Sequence, residues 1–139
     1  MTTFILDTWA IIAWLKRQKP ASERTRELLK GVERGDCRLL INIVNVGEIF
    51  YVCAKARNIA YSRRVLQVLQ PRLTTISASD ELVMMAVSLK AKYPISYADG
   101  FAAATAITVG APLVTGDPEL AAMASVEKTL RLEWIGRPN

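Results

Sequence analysis

The stretch Ser96-Tyr97-Ala98-Asp99-Gly100-Phe101-Ala102-Ala103-Ala104-Thr105-Ala106 decides how the rest of the chain is read. Its run of small residues predicts a helix that can lie close against a sheet, yet Asp99 stands near its start as a lone carboxylate. Working outward, Pro112-Leu113-Val114-Thr115 reads as a short strand ending on Gly116-Asp117-Pro118. Near the amino end, Thr3-Phe4-Ile5-Leu6 reads as another strand and stops at Asp7, while Glu48 follows the strand-like run Arg38–Asn42. Four acids thus fall just beyond apolar runs or at the start of a helix.

The intervening segments alternate in type. Helices are expected over Thr8–Gln18, Ala21–Arg34, about Val44–Arg57, Tyr61–Gln70, Ser79–Lys92, Ser96–Val109 and Pro118–Met123. Further strands are expected over Leu73–Ile76 and, at one edge, Thr129–Trp134. Strands alternating with helices predict an α/β chain, a parallel sheet with helices on both faces. Ligands in such sheets bind outside the carboxyl ends of the strands, which is where the acids fall. No repeat or interdomain linker is visible, so residues 1–139 are read as one domain.

Each acid also has a purely structural reading. Asp7 can cap the helix beginning at Thr8, Asn45 to Glu48 has capping-box spacing, Ser96 to Asp99 has the same spacing with an aspartate, and Asp117-Pro118 is a helix cap followed by proline. Taken jointly the capping reading weakens. Carboxylates about 4 Å apart repel by on the order of 4 kcal/mol per pair at an effective dielectric of about 20, so an ionised cluster calls for a cation.

Composition narrows that chemistry. The chain contains no histidine, which removes the commonest metal ligand and the usual acid–base pair of metal-free ribonucleases. Cys37 and Cys53 have no metal-site spacing and are read as reduced. Carboxylates alone favour a hard, oxygen-ligated ion such as Mg²⁺ or Mn²⁺. The net charge of +5 is uneven: residues 16–72 hold 13 Lys/Arg against 5 Asp/Glu, whereas 73–139 hold 5 against 7. A basic half beside an acid-bearing half suits a polyanion that is attracted and then processed. No apolar run approaches membrane-spanning length and no signal peptide is visible, so a cytoplasmic location is expected.

Leu6-Asp7-Thr8, the Asn42 to Glu48 segment, Asp99 to Ala106 and Thr115-Gly116-Asp117 together resemble the acidic motifs of PIN-domain ribonucleases, and in order, spacing and length most resemble the VapC toxins of VapBC toxin–antitoxin pairs. The resemblance covers essentially the whole chain. It implies a three-layer α/β/α PIN-like fold with a central, mainly parallel twisted sheet. It implies a metal site formed by Asp7, Glu48, Asp99 and Asp117, with Thr115 as a supporting hydroxyl, occupied by Mg²⁺ or Mn²⁺. The implied activity is endoribonuclease cleavage by metal-activated water, leaving 5′-phosphate and 3′-hydroxyl ends. The implied partners are an RNA substrate, a VapB-type antitoxin and a second copy in a homodimer.

Lys16, Arg17, Lys55, Arg57, Arg63 and Arg64 are candidates for holding RNA phosphates, and Trp14, Phe50, Tyr51 and Val65 to Leu69 for a partner groove. Two departures from the family pattern stand out. Trp9 occupies a position commonly held by a small residue, and Asn42 and Asn45 replace the usual Ser/Thr before the glutamate. No aromatic pair at a recognisable RNA-reading spacing is visible. The alternatives are a PIN nuclease of RNA processing without an antitoxin, and a non-catalytic RNA-binding domain. A phosphoacceptor receiver domain is disfavoured because no strand ends in lysine.

Overall fold

A computed structural model describes residues 1–138. Strands β1 (Thr2–Leu6), β2 (Cys37–Asn42), β3 (Leu73–Ile76), β4 (Leu113–Thr115) and β5 (Leu132–Trp134) alternate with helices α1 (Thr8–Leu15), α2 (Ala21–Glu33), α3 (Ile43–Ala56), α4 (Ile59–Leu69), α5 (Asp80–Lys92), α6 (Tyr97–Val109) and α7 (Pro118–Val126). The five strands form one sheet in the order β3-β2-β1-β4-β5. Every neighbouring pair is parallel. The sheet is therefore wholly parallel where a mainly parallel one was expected.

Alternation along the strands divides the core. Phe4, Leu6, Leu39, Ile41 and Val114 face one side, where residues of α1 to α4 join them. Ile5, Leu40 and Leu113 face the other, against α5, α6 and α7. Burial on both faces explains why these strands read as continuous apolar runs. The alanines of α6 do what their size predicted: Ala102, Ala103 and Ala104 are fully buried. A Cβ on Gly100 would sit 2.8 Å from the Ala86 carbonyl oxygen, so glycine there permits the close approach of α5 and α6.

Local chemistry moves some boundaries. α1 stops three residues short of the expected Gln18 because Arg17 adopts a left-handed conformation with φ 56°. α4 begins at Ile59 rather than Tyr61 because Asn58 caps it, its Oδ1 accepting from the Tyr61 amide at 2.8 Å. The edge strand is confined to Leu132–Trp134.

The chain runs outward from β1 through β2 to β3, then crosses back to β4 on the other side of β1. The strand order thus reverses between β1 and β4, and the loops leaving their carboxyl ends diverge around a crevice. Asp7 and Asp117 emerge there. No helix among the described residues is long and apolar enough to cross a membrane.

Candidate functional site

Asp7 is the first residue beyond β1, and its side chain is fully buried. It occupies the N-cap position of α1 but makes no capping hydrogen bond, so the capping interpretation fails for this residue. Its Oδ2 instead accepts from the Thr115 hydroxyl at 2.8 Å, and its Oδ1 has no protein partner. Thr115 Oγ1 also accepts from the Asp117 amide at 3.1 Å, so one hydroxyl aims Asp7 and shapes the turn that presents Asp117.

Asp117 and Asp99 combine both readings. Asp117 caps α7, its Oδ1 accepting from the Glu119 amide at 2.9 Å, with Pro118 at the first helical position. Ser96 caps α6 by accepting from the Asp99 amide at 3.1 Å. In each case capping holds the carboxylate at the crevice rather than keeping it away. Asp7, Asp99 and Asp117 each offer one oxygen to a group of atoms that all lie within 4.8 Å of one another.

Glu48 stands outside that tight group, on α3. The capping box expected from Asn45 to Glu48 does not form, because α3 begins earlier and is capped by Asn42. Glu48 Oε2 accepts a long hydrogen bond from the Tyr51 hydroxyl at 3.5 Å, and its charge acts on both Asp7 and Asp99.

The electrostatics follow from burial and crowding. Desolvation first, then the Asp99 charge, pushes the Asp7 carboxyl well above its ordinary range, with Asp117 and Glu48 adding to the rise and the Thr115 hydroxyl opposing it. Asp99 is raised to about 7, first by desolvation and then by Asp117 and Glu48, against hydrogen bonds from Ser96. Without a counter-ion, Asp7 and Asp99 keep their protons to higher pH than ordinary aspartates do.

A support network lies directly behind the acids. Asn45 Nδ2 donates to the Ala98 carbonyl at 3.1 Å and to Thr8 Oγ1 at 3.4 Å, while Thr8 Oγ1 donates to the Asn45 carbonyl at 3.3 Å. These bonds tie together the amino ends of α1, α3 and α6, the helices that follow Asp7 and carry Glu48 and Asp99. Sequence reading noted Asn45 but assigned this bridge to none of its partners, because they are 37 and 53 residues apart in the chain.

The other expected positions divide. Val65 and Leu69 are core, whereas Tyr51 and Val68 are half exposed. Arg57 packs over the Tyr61 ring at 4.3 Å and Lys55 lies 5.7 Å from the Tyr51 ring, and both cations are exposed.

Residues 4–126 match the PIN domain family, and the chain belongs to it. No curated protein matches the chain in sequence. Solved structures give the fold more detail. VapBC2 from Rickettsia felis, bound to a DNA fragment of its promoter, is 20% identical with a TM-score of 0.71, covering 95% of this chain and 98% of that one. DNA-bound VapBC from Salmonella typhimurium is 19% identical with a TM-score of 0.70, covering 96% and 98%. VapC20 of Mycobacterium tuberculosis, a sarcin–ricin loop cleaving toxin, is 11% identical with a TM-score of 0.69, covering 86% and 93%. At these identities the likeness is one of fold.

Proposed function

We propose that this chain, a single domain across residues 1–139, is a metal-dependent endoribonuclease and the toxin of a type II toxin–antitoxin pair, held inactive by a VapB-type antitoxin. The observation that carries this reading is the carboxylate trio Asp7, Asp99 and Asp117, with the buried, unpartnered Oδ1 of Asp7 at its base. A buried carboxylate oxygen lacking a donor, among like charges, fits a cation better than it fits any role in folding. The donor set is all oxygen, which suits Mg²⁺ or Mn²⁺.

In this reading Asp7, Asp99 and Asp117 hold the ion, and Glu48 completes the negative lining from α3. Thr115 keeps Asp7 in the ligating orientation, and Asn45 fixes the spacing between the helices that present Glu48 and Asp99. A bound divalent ion supplies a nucleophilic water at neutral pH and offsets charge at the scissile phosphate. The carboxylates would hold such an ion and orient its water toward the scissile phosphate. Attack in line leaves a 5′-phosphate and a 3′-hydroxyl. The VapBC assemblies among the fold neighbours support an antitoxin partner, and VapC20, a sarcin–ricin loop cleaving toxin, supports RNA as substrate.

The decisive experiment maps new 5′-phosphate RNA ends in cells induced for the wild type and for Asp99→Asn. Ends at discrete sites with the wild type alone are the expected result. Identical maps would remove the catalytic role of Asp99 and favour the RNA-binding alternative.

A further inference from the structure

Beside the acids lies a second feature that the cleavage reaction does not use. β5 pairs with β4 so that Trp134 stands opposite Thr115, and the Ile135 amide donates to the Thr115 carbonyl at 3.0 Å. The chain leaving β5 then crosses the loop that leaves β4. A Cβ on Gly136 would lie 3.0 Å from Gly116 Cα and 2.8 Å from the Trp134 ring, and one on Gly116 would lie 2.3 Å from the Trp9 ring. The two glycines thus let two backbone segments and two indoles share one close-packed layer, one residue from Asp117.

Above that layer is a groove of about 430 Å³ lined by Trp9, Pro118 and Trp134, with Gln18, Lys19 and Arg137 at its margin. That volume falls within the range of small-ligand sites. Among the described residues no acid lines it, in contrast with the adjoining crevice. Both tryptophans are half-buried. The close ring pair among the described residues is Tyr97 with Phe101, so the two indoles leave each other unstacked. The Trp134 indole N–H donates to the Arg137 carbonyl at 3.1 Å, which uses its polar edge internally and anchors the ring. Lys19 keeps an exposed ion pair with Glu23 at 3.4 Å, a contact of little energetic weight.

Aromatic side chains flanked by cations are the chemistry that holds an unpaired nucleobase and its phosphate. We propose that this groove is a nucleotide subsite: it takes an unstacked base of single-stranded RNA, next to the phosphate at the acids, on Trp134 and Trp9, with Arg137 and Lys19 on the flanking backbone. The proposal deepens the nuclease reading and rests on it for which phosphate lies at the acids. A basic peptide would sit better on the acids than beside Lys19 and Arg137, which is why RNA is preferred over a protein segment.

The test uses the Asp99→Asn protein with Mg²⁺, so that binding is read without cutting. Its probes are single-stranded hexaadenylate and an abasic hexamer carrying the same phosphates. Hexaadenylate is expected to bind about tenfold or more tighter than the abasic chain and to quench tryptophan fluorescence. Trp134→Ala should erase that preference and leave the abasic affinity unchanged. Trp134→Phe, which keeps a stacking face and guards against misfolding, should retain most of it. Arg137→Gln should weaken both probes alike and lower the salt slope by about one.

Equal loss of both probes in Trp134→Ala, or no loss of either, overturns the subsite. So does absence of quenching by hexaadenylate while an antitoxin segment quenches the same indoles, which would assign the groove to a protein. The two readings fail separately. Wild-type protein that cuts RNA while Trp134→Ala leaves base preference intact keeps the nuclease and removes the subsite. Base preference without any metal-dependent cutting does the reverse.

Discussion

Asn42 is the last residue of β2 and Asp7 the first beyond the neighbouring β1, and both side chains are fully buried. Around Asn42 the polar groups close on one another. Its Oδ1 accepts from the Val44 amide at 2.9 Å, its Nδ2 donates to Thr105 Oγ1 at 3.1 Å, and Thr105 donates onward to the Phe101 carbonyl at 2.7 Å. Around Asp7 they do not: one oxygen has a single donor, the other has none, and two further carboxylates crowd the same space. The first arrangement stabilises the fold by linking β2, α3 and α6. The second works against folding and makes sense only with something brought in from outside. Between these two equally buried side chains, what differs is whether the hydrogen bonds are complete and whether like charges crowd the group, and that difference supports a ligand role for Asp7.

The largest expected effect breaks that contrast at the acids. Asp99→Asn should eliminate metal-dependent RNA cutting while making the metal-free protein more stable at pH 8. A rise from 3.8 to about 7 corresponds to on the order of 4 kcal/mol at full ionisation, which sets an upper limit for the gain. The sign follows from linkage: the folded state binds the proton more tightly, so this contribution is complete below about pH 4 and lost as pH rises through about 7. Asp7 is shifted in the same direction. Metal-free wild type should therefore melt at progressively lower temperature from pH 4 to pH 7, and Mg²⁺ at pH 7 should recover the loss. Urea titrations of both proteins across that range check this. An Asp99→Asn protein less stable than wild type at pH 8 would refute the account of the site as strained by buried charge.

A smaller effect of opposite sign is expected on the other side of the comparison. Asn42→Ala removes a cap and a buried hydrogen bond, and should lower stability by about 1–3 kcal/mol with no added pH dependence in that range. The same titrations read it. Thr115→Val deletes the hydroxyl that aims Asp7 and accepts from Asp117, and should weaken Mg²⁺ binding by about 10–100-fold, measured calorimetrically. Unchanged affinity would make Thr115 a strand residue only. Least of all, Tyr51→Phe should alter stability by no more than about 0.5 kcal/mol and leave cutting unchanged, because its bond to Glu48 is long and exposed.

Much of this was legible in the linear chain because each relevant signal is local. The apolar runs of β1 and β2 announce strands buried on both faces, Pro118 and Ser96 announce helix starts, and the alanines of α6 announce a helix pressed to the sheet. Capping was legible too, but only as a competitor to function. The structure shows that for Asp99 and Asp117 the two coincide, since a cap fixes a carboxylate at the start of a helix and the helix starts converge at the carboxyl end of the sheet. For Asp7 and Glu48 the expected caps are absent, and a count of spacings could not have revealed that.

What the sequence alone determined is therefore the element order, the parallel sheet and which acids stand as candidates for an oxygen-only site. Those depend on residue type, period and short spacing, which act over a turn of helix or a few residues of strand. What only the tertiary structure decided is which acids meet, that Glu48 stands apart from the tight trio, that Asn45 ties three helices together, and that Trp9 and Trp134 line one groove. Each of these depends on the strand order, and in particular on β4 crossing back to lie beside β1 and bringing β5 with it. That crossing brings together residues more than a hundred positions apart, such as Asp7 and Thr115, through packing over the whole sheet that no local pattern encodes.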